Sequence, residues 1–399
     1  MSGRVLTLNV DGNCGKSNNI CRCRDKPPGI TARKETDQPK GFIRVTHQHK
    51  SGNKFTLNNK LQGGGKIGEL IHNVTEVSVF YWNGAPDKAI LLGITITNTP
   101  IYYAKNSDND WIGQPPLSDD LLETKLDEQN CKHNNAVTIN LSKGTFMSGD
   151  SKHSYCCSGN HSDGARGSNR VTVTSAQISC KLHENPSSIP FHKHEITYSG
   201  GVRLAAIKYN DGKHRKRINS SGLDFPIQGP LSVYAFHCSG NPALIYVDSS
   251  SDSSKNGWYK KYTGSSTVSG DEQWVEVFTI SNIQPRELSN TIDHEKYNGI
   301  VGILKTLSGC TSYKECPKPE EKPKAVPPET TTPDNAALTE DGQKSPTSAK
   351  VIAAPAAAVL GPWAIFGASS GPIAGAGGLT GFGWWIYKRT KGDPWVRQI

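Results

Sequence analysis

Short apolar runs closed by Gly, Asn, Asp or Pro fill most of the first 310 positions, and long stretches with helical spacing are few. Side chains alternate between the two faces of a strand, so VLTLNV from Val5, AVTINLS from Ala136 and IVGILKTLS from Ile300 read as related strands. Two longer segments, NVTEVSVFYWNGAPDKAILLGITI (Asn73 to Ile96) and IQGPLSVYAFHCSGNPALIYV (Ile227 to Val247), each place a Gly-containing turn between two apolar runs. That pattern predicts a β-hairpin. The flanks keep the same order. FIRVTHQHKSGNKFTL aligns with IPFHKHEITYSGGVRL before the hairpin, and LLETKLDEQNCKHNNAVTINLS with RELSNTIDHEKYNGIVGILKTLS after it. The chain therefore repeats itself internally.

These patterns predict a mainly β protein with two tandem antiparallel β-sandwich-like modules, residues 1–136 and 137–310, each with one short helix. In the first module Ser118 is placed to cap a helix over Asp119 to Glu128, with acidic residues in its first turn; Arg286 to Glu295 occupies the same slot in the second. Residues 311–364 turn to Pro, Glu, Lys, Thr and Ala and read as a disordered, Pro-rich stalk. Val351 to Tyr387 carries no charge, and its Ile365 to Tyr387 part has about the 20 residues that cross a bilayer as a helix. Trp384, Trp385 and Tyr387 suit an interfacial belt, and Lys388, Arg389 and Lys391 open a basic tail over 388–399. Small residues at Gly367, Gly371 and Gly375, and at Gly377 and Gly381, have the spacing of self-associating membrane helices.

A formal net charge of +9 is spread along the 399 residues, which argues against a specific nucleic-acid partner. The ten cysteines divide into even groups: Cys14, Cys21, Cys23 and Cys131; Cys156, Cys157, Cys180 and Cys238; Cys310 and Cys316. Even groups point to disulfides formed within each group, with three pairings open in each group of four. The opening MSGRVLTLNV lacks the apolar core of a secretory signal, so either the reading frame begins late or the chain is tail-anchored. The basic residues after the span favour a cytosolic tail and external modules.

Together the repeat, the cysteine-spaced strands ahead of VSVFYWNG, the stalk and the ending YKRTKGDPWVRQI resemble the tandem-module membrane proteins of piroplasm parasites of the Theileria equi (Babesia equi) type. The resemblance covers essentially the whole chain, and the ending is its most specific motif. It implies a single-pass protein of the parasite surface or secretory pathway, displayed to the host and without an assigned reaction. Some relatives carry a label invoking a complement-type CUB domain, whose two locally bridged cysteine pairs this spacing does not reproduce.

Several literal motifs fail in context. Gly63, Gly65 and Gly68 spell G-x-G-x-x-G, but strand residues Val77 and Val79 follow too soon for the helix that a dinucleotide site requires. VDGNCGKS resembles a phosphate loop with Val10 in place of its first glycine and with Pro27 and Pro28 where the helix should run. The G-x-S-x-G string at Gly367, Ser369 and Gly371 lies within the apolar span. His47 and His49, and His192 and His194, fall at repeat-related strand positions; they are weak metal candidates that read first as solvated histidines on an exposed strand face. Lys213 to Arg217 reads as a basic loop able to meet an anionic glycan, headgroup or nucleic acid. No catalytic constellation and no cofactor is predicted. The expected partners are the lipid bilayer, a host protein or glycan, and a second copy of the span. The leading expectation is adhesion, display or host interaction, with an intracellular or tail-anchored module that binds a metal ion or polyanion as the alternative.

Overall fold

The computed structural model describes residues 5–10, 27–143, 152–156, 170–182, 188–196, 201–212, 214–264, 270–288, 291–307 and 310–318. The stalk beyond Lys318, the apolar span, the basic tail, Asp11 to Ser17 and the G-x-S-x-G string lie outside them. Among the described residues no helix is long and apolar enough to cross a membrane.

The described chain is mainly β, and its strand order is duplicated. The first half comprises β1 (Val5–Leu6), β2 (Ile30–Thr36), β3 (Phe42–His49), β4 (Phe55–Leu57), β5 (Ile71–Val74), β6 (Glu76–Trp82), β7 (Ala85–Thr95), β8 (Pro100–Lys105), β9 (Trp111–Gly113) and α1 (Asp119–Asn134). The second comprises β10 (Ala136–Asn140), β11 (Lys152–Tyr155), β12 (Val171–Cys180), β13 (Ser188–Ile196), β14 (Arg203–Asp211), β15 (His214–Asn219), β16 (Ile227–Gln228), β17 (Leu231–Cys238), β18 (Asn241–Ser249), β19 (Gly257–Lys261), β20 (Asp271–Glu276), β21 (Thr291–Ile292) and α2 (His294–Lys305).

The antiparallel order β2-β3-β6-β7-β8-β9 recurs as β12-β13-β17-β18-β19-β20. The parallel pair β1–β4 recurs as β10–β14, and the antiparallel pair β4–β5 as β14–β16. Even the parallel bridge Ile67↔Trp111 has a counterpart in β15–β20, where three residue pairs join the second half into one continuous sheet path. Met1–Lys324 forms one compact unit, and the division drawn at residue 136 falls at the first residue of β10.

Both hairpins form where the turn chemistry places them. Asn83 and Gly84 separate β6 from β7, and Ser239 and Gly240, both at positive φ, separate β17 from β18. The runs VSVFYW and SVYAF lack clean alternation because their sheets are buried on both faces. In β6, Val77, Val79 and Tyr81 enter one core with β1, β4 and β5, while Phe80 and Trp82 pack on the other side with Leu122 and Leu126 of α1. In β17, Val233 and Ala235 face Leu204 and Ile207 of β14, while Tyr234 and Phe236 share a core with α2.

The first predicted helix starts as expected and runs longer, and the second is displaced. Ser118 is the N-cap of α1, with extended backbone and no side-chain cap bond. The helix runs past Glu128 to Asn134, because Asn134 donates to the Asn130 side chain at 2.9 Å and Cys131 is buried. Tertiary burial here overrides the low helix propensity of Asn, Cys and His. In the second half, Arg286 to Glu295 is not one helix: Pro285–Glu287 is a single 3-10 turn, Thr291–Ile292 pairs with β12, and α2 starts at His294. IVGILK, expected as a strand, lies in α2. The Asp293 carboxylate accepts from the Lys296 backbone N–H at 2.9 Å, and Tyr297, Ile300, Val301 and Leu304 form a buried stripe.

The glycine motif at 63–68 makes a tight hairpin rather than a nucleotide loop. Gly63, Gly64 and Gly65 all have positive φ, and a Cβ on Gly65 would lie 1.9 Å from the Asn109 carbonyl oxygen. The close approach lets the Trp111 indole donate to the Gly64 carbonyl at 2.8 Å.

Cysteine pairing crosses the even groups. The described disulfides are Cys131–Cys156, Cys180–Cys316 and Cys238–Cys310, with Cα separations of 6.3, 6.2 and 5.0 Å. Each joins members of two different groups, because the fold brings α1 to the end of β11 and returns the chain after α2 to the ends of β12 and β17. Cys14, Cys21, Cys23 and Cys157 lie outside the described residues. The segment to Cys316 thus belongs to the folded unit, not the stalk: Asn298 exchanges two hydrogen bonds with the Cys316 backbone, and Tyr313 donates to the His237 carbonyl.

One face of α1 meets the second half through buried charge. The Lys208 ammonium, on a side chain only 2% exposed, donates to Glu123 at 2.5 Å and to both Asp127 oxygens at 3.1 Å. Arg215 reaches Asp127 at 2.6 Å, and the Thr138 hydroxyl donates to the same carboxylate at 2.9 Å. Replacing one member of such a cluster strands the others in a medium of low polarity. Asp127→Ala is therefore expected to cost about 3–5 kcal/mol in urea unfolding. Glu35→Ala, which breaks the more exposed Arg44–Glu35 pair, is expected to cost about 1 kcal/mol or less. Equal small losses in the two variants would contradict the assignment.

Candidate functional site

A cleft of about 290 Å³ lies where the first half meets the second. One wall is built by two turns that hold each other. The Asp37 carboxylate accepts from the Gly41 N–H at 3.1 Å and from the Asn83 amide at 3.0 Å, and the Asn83 backbone N–H donates to the Gly41 carbonyl at 3.1 Å. Asp37 and Gly41 have positive φ, at 57° and 85°, so the β2–β3 turn depends on an Asp and a Gly that tolerate this region. The opposite wall is Arg217, Ile218 and Asn219 from β15 with Phe225 and Pro226 beyond it.

The floor is apolar and rigid. The Trp82 ring is 4% exposed; the Arg203 guanidinium stacks over it at 4.5 Å, and a Cβ on Gly84 would lie 2.4 Å from the ring. Across the mouth, Lys40 pairs with Asp271 at 2.9 Å. Arg217 lies 5.9 Å from the Phe225 ring centre and beside Gly41, where a Cβ would lie 3.4 Å from its Nη1. Among the described residues Arg217 has no acidic partner within salt-bridge distance. The cleft therefore presents one uncompensated guanidinium, two Asn side chains and an aromatic edge. This set suits binding through charge and hydrogen bonds.

The basic run is a strand, not a loop. His214 to Arg217 pair with Asp211 to Lys208 in β14; Arg215 and Arg217, two residues apart, share one face of the strand, where Arg215 reaches the buried carboxylates of α1 and Arg217 lines the cleft. Lys213 lies outside the described residues. A basic run that commits Arg215 to the buried ion cluster and Arg217 to the cleft does not form one polyanion patch.

The four predicted histidines do not share a solvated face. His47 and His194 are buried, and His49 and His192 are half-buried. Burial follows from the sheets being covered on both sides. The His49 Nδ1 meets the Ser51 hydroxyl at 2.7 Å, the His192 Nδ1 meets Ser175 at 3.1 Å, and the His194 Nδ1 meets the Tyr155 hydroxyl at 3.1 Å. Among the described residues no group of three or more His, Cys, Asp or Glu could hold a metal ion. His237 was not singled out from sequence, yet its ring packs 5.3 Å from His192 and its Nε2 donates to the Leu141 carbonyl at 3.1 Å. Its place two residues before a predicted turn, opposite a His-containing strand, was the available signal.

Comparison of the chain with protein-family models, with curated proteins and with solved structures finds no match.

Burial, followed by the neighbouring His192, lowers the His237 pKa from 6.5 to about 4, and burial lowers that of His133 to about 4 despite its contact with the Lys105 carbonyl. Below pH 6.5 the unfolded chain takes up protons at these rings while the folded chain does not, so stability declines as pH falls from about 6.5 toward 4. Urea midpoints across that window are expected to drop, and to drop less in His237→Gln, which retains a donor for Leu141. An identical pH slope in the variant would contradict the assignment to His237.

Proposed function

We propose that this is a non-enzymatic, single-pass membrane protein of the cell surface or secretory pathway, acting in adhesion, display or host interaction. Two tandem β-sandwich-like modules stand on a Pro-rich stalk that starts after Cys316, with an anchor over 365–387 and a cytosolic basic tail. The observation that carries the reading is the set of three disulfides, which pin an α-helix, two strand ends and the returning chain of one folded unit. Disulfides persist in oxidising compartments and are rare where glutathione and thioredoxin keep thiols reduced. The uncharged segment supports attachment to lipid, and the likeness of the ending to the piroplasm surface proteins supports display. The cleft between the modules is the surface assigned to a host protein or glycan.

Protein alkylated at the moment of cell lysis and digested without reductant tests this. The expected peptides are linked 131–156, 180–316 and 238–310. Six freely alkylated cysteines would overturn the reading and favour an intracellular module for a polyanion or metal ion.

A further inference from the structure

We propose that the cleft between the two halves binds an acidic sugar, with Arg217 taking the carboxylate of a uronate-class residue. The proposal rests on reading the cleft as a recognition surface and adds the chemical class of its ligand.

The charges within the cleft leave one role open. Lys40 is neutralised by Asp271, and the Asp37 carboxylate is occupied on one oxygen by Gly41 and Asn83. Arg217 alone of the cleft's cations has no acid at salt-bridge distance among the described residues, and the missing side chain of Gly41 keeps the space beside its guanidinium open. A planar guanidinium matches a carboxylate at two points, which a lysine ammonium does not.

The remaining groups select a sugar over a bare anion. Asn219 is exposed at the rim, and Asn83 has given its amide N–H to Asp37 while its carbonyl oxygen stays available to accept. The second Asp37 oxygen is a further acceptor. Acceptors beside an arginine would repel sulfate or phosphate but would take the hydroxyls of a ring that carries its one charge at the other end. Phe225 and Pro226 supply an apolar flank for the C–H face of such a ring. The volume, about 290 Å³, sits at the low end of small-ligand sites, roughly 300–1,000 Å³, and suits one ring better than a peptide.

Saturation-transfer NMR on the full oxidised chain in detergent, with methyl β-glucuronide, methyl β-glucoside and inorganic sulfate as probes, tests the proposal. The glucuronide is expected to bind saturably, and the glucoside about tenfold or more weaker, the scale of one charge-assisted hydrogen bond. Arg217→Gln and Asn219→Leu are each expected to weaken the glucuronide by a similar factor, while Arg33→Gln, on a side chain 67% exposed elsewhere, leaves it unchanged. A thermal scan on each variant reports folding. Wild-type affinity in both cleft variants, or equal binding of the two glycosides, would overturn the proposal, as would full displacement by equimolar sulfate with Asn219→Leu inert. Failure of the surface-display reading would appear separately, as free thiols in the peptide map, and would leave these binding results unaltered.

Discussion

The contact on which the rest of this architecture depends is the meeting of Glu123 and Asp127, one turn apart on α1, with Lys208 and Arg215 on adjacent strands of the second half. Four charges removed from water are stable only when their geometry is satisfied together. Helix α1 therefore cannot slide or rotate without stranding a charge, and its adjoining face, through Leu122 and Leu126, is committed to the outer face of the first sheet. The helix thus transmits a fixed orientation from one repeat to the other. Arg215 and Arg217 lie two residues apart on one face of the same strand, so the residue that locks the junction and the residue that lines the cleft are set by one backbone register.

The same solution appears twice with different partners. Each half covers the outer face of its hairpin sheet with the helix that follows its last strand. α1 then contacts the next repeat, whereas α2 has no further repeat and is covered by the chain that returns to Cys310 and Cys316. Two disulfides at that end replace the contacts that a third repeat would supply, and Cys131–Cys156 fastens the α1 end to the second half. Closure of long loops, with sequence separations of 136 and 72 residues, restricts the unfolded chain.

What was legible in the sequence was what local chemistry decides. Asn83-Gly84 and Ser239-Gly240 name their hairpins because turn-forming residues stand between two apolar runs, and Ser239 and Gly240 both take the positive φ that few residues accept. Ser118 marked the start of α1, but its end lay in burial that no local signal reports. IVGILK misled because a β-branched run has strand propensity on either reading; the Asp293 cap three residues before Lys296 and the spacing of Tyr297, Ile300, Val301 and Leu304 were the better signals. The cysteine groups misled because adjacency in sequence says little about which chain ends return to one place. The cleft was not legible at all, since its walls come from turns near residues 40 and 83 and a strand near 217, and only the fold places them together.

The central claim is that the two halves form one interlocked unit whose junction builds the cleft. Pulsed hydrogen-exchange labelling through a urea titration, read on peptides from the β6–β7 and β17–β18 hairpins, tests it most directly. One shared midpoint for both hairpins is the result this account requires. Two well-separated midpoints, with the first hairpin opening while the second stays protected, would show independent halves and contradict it.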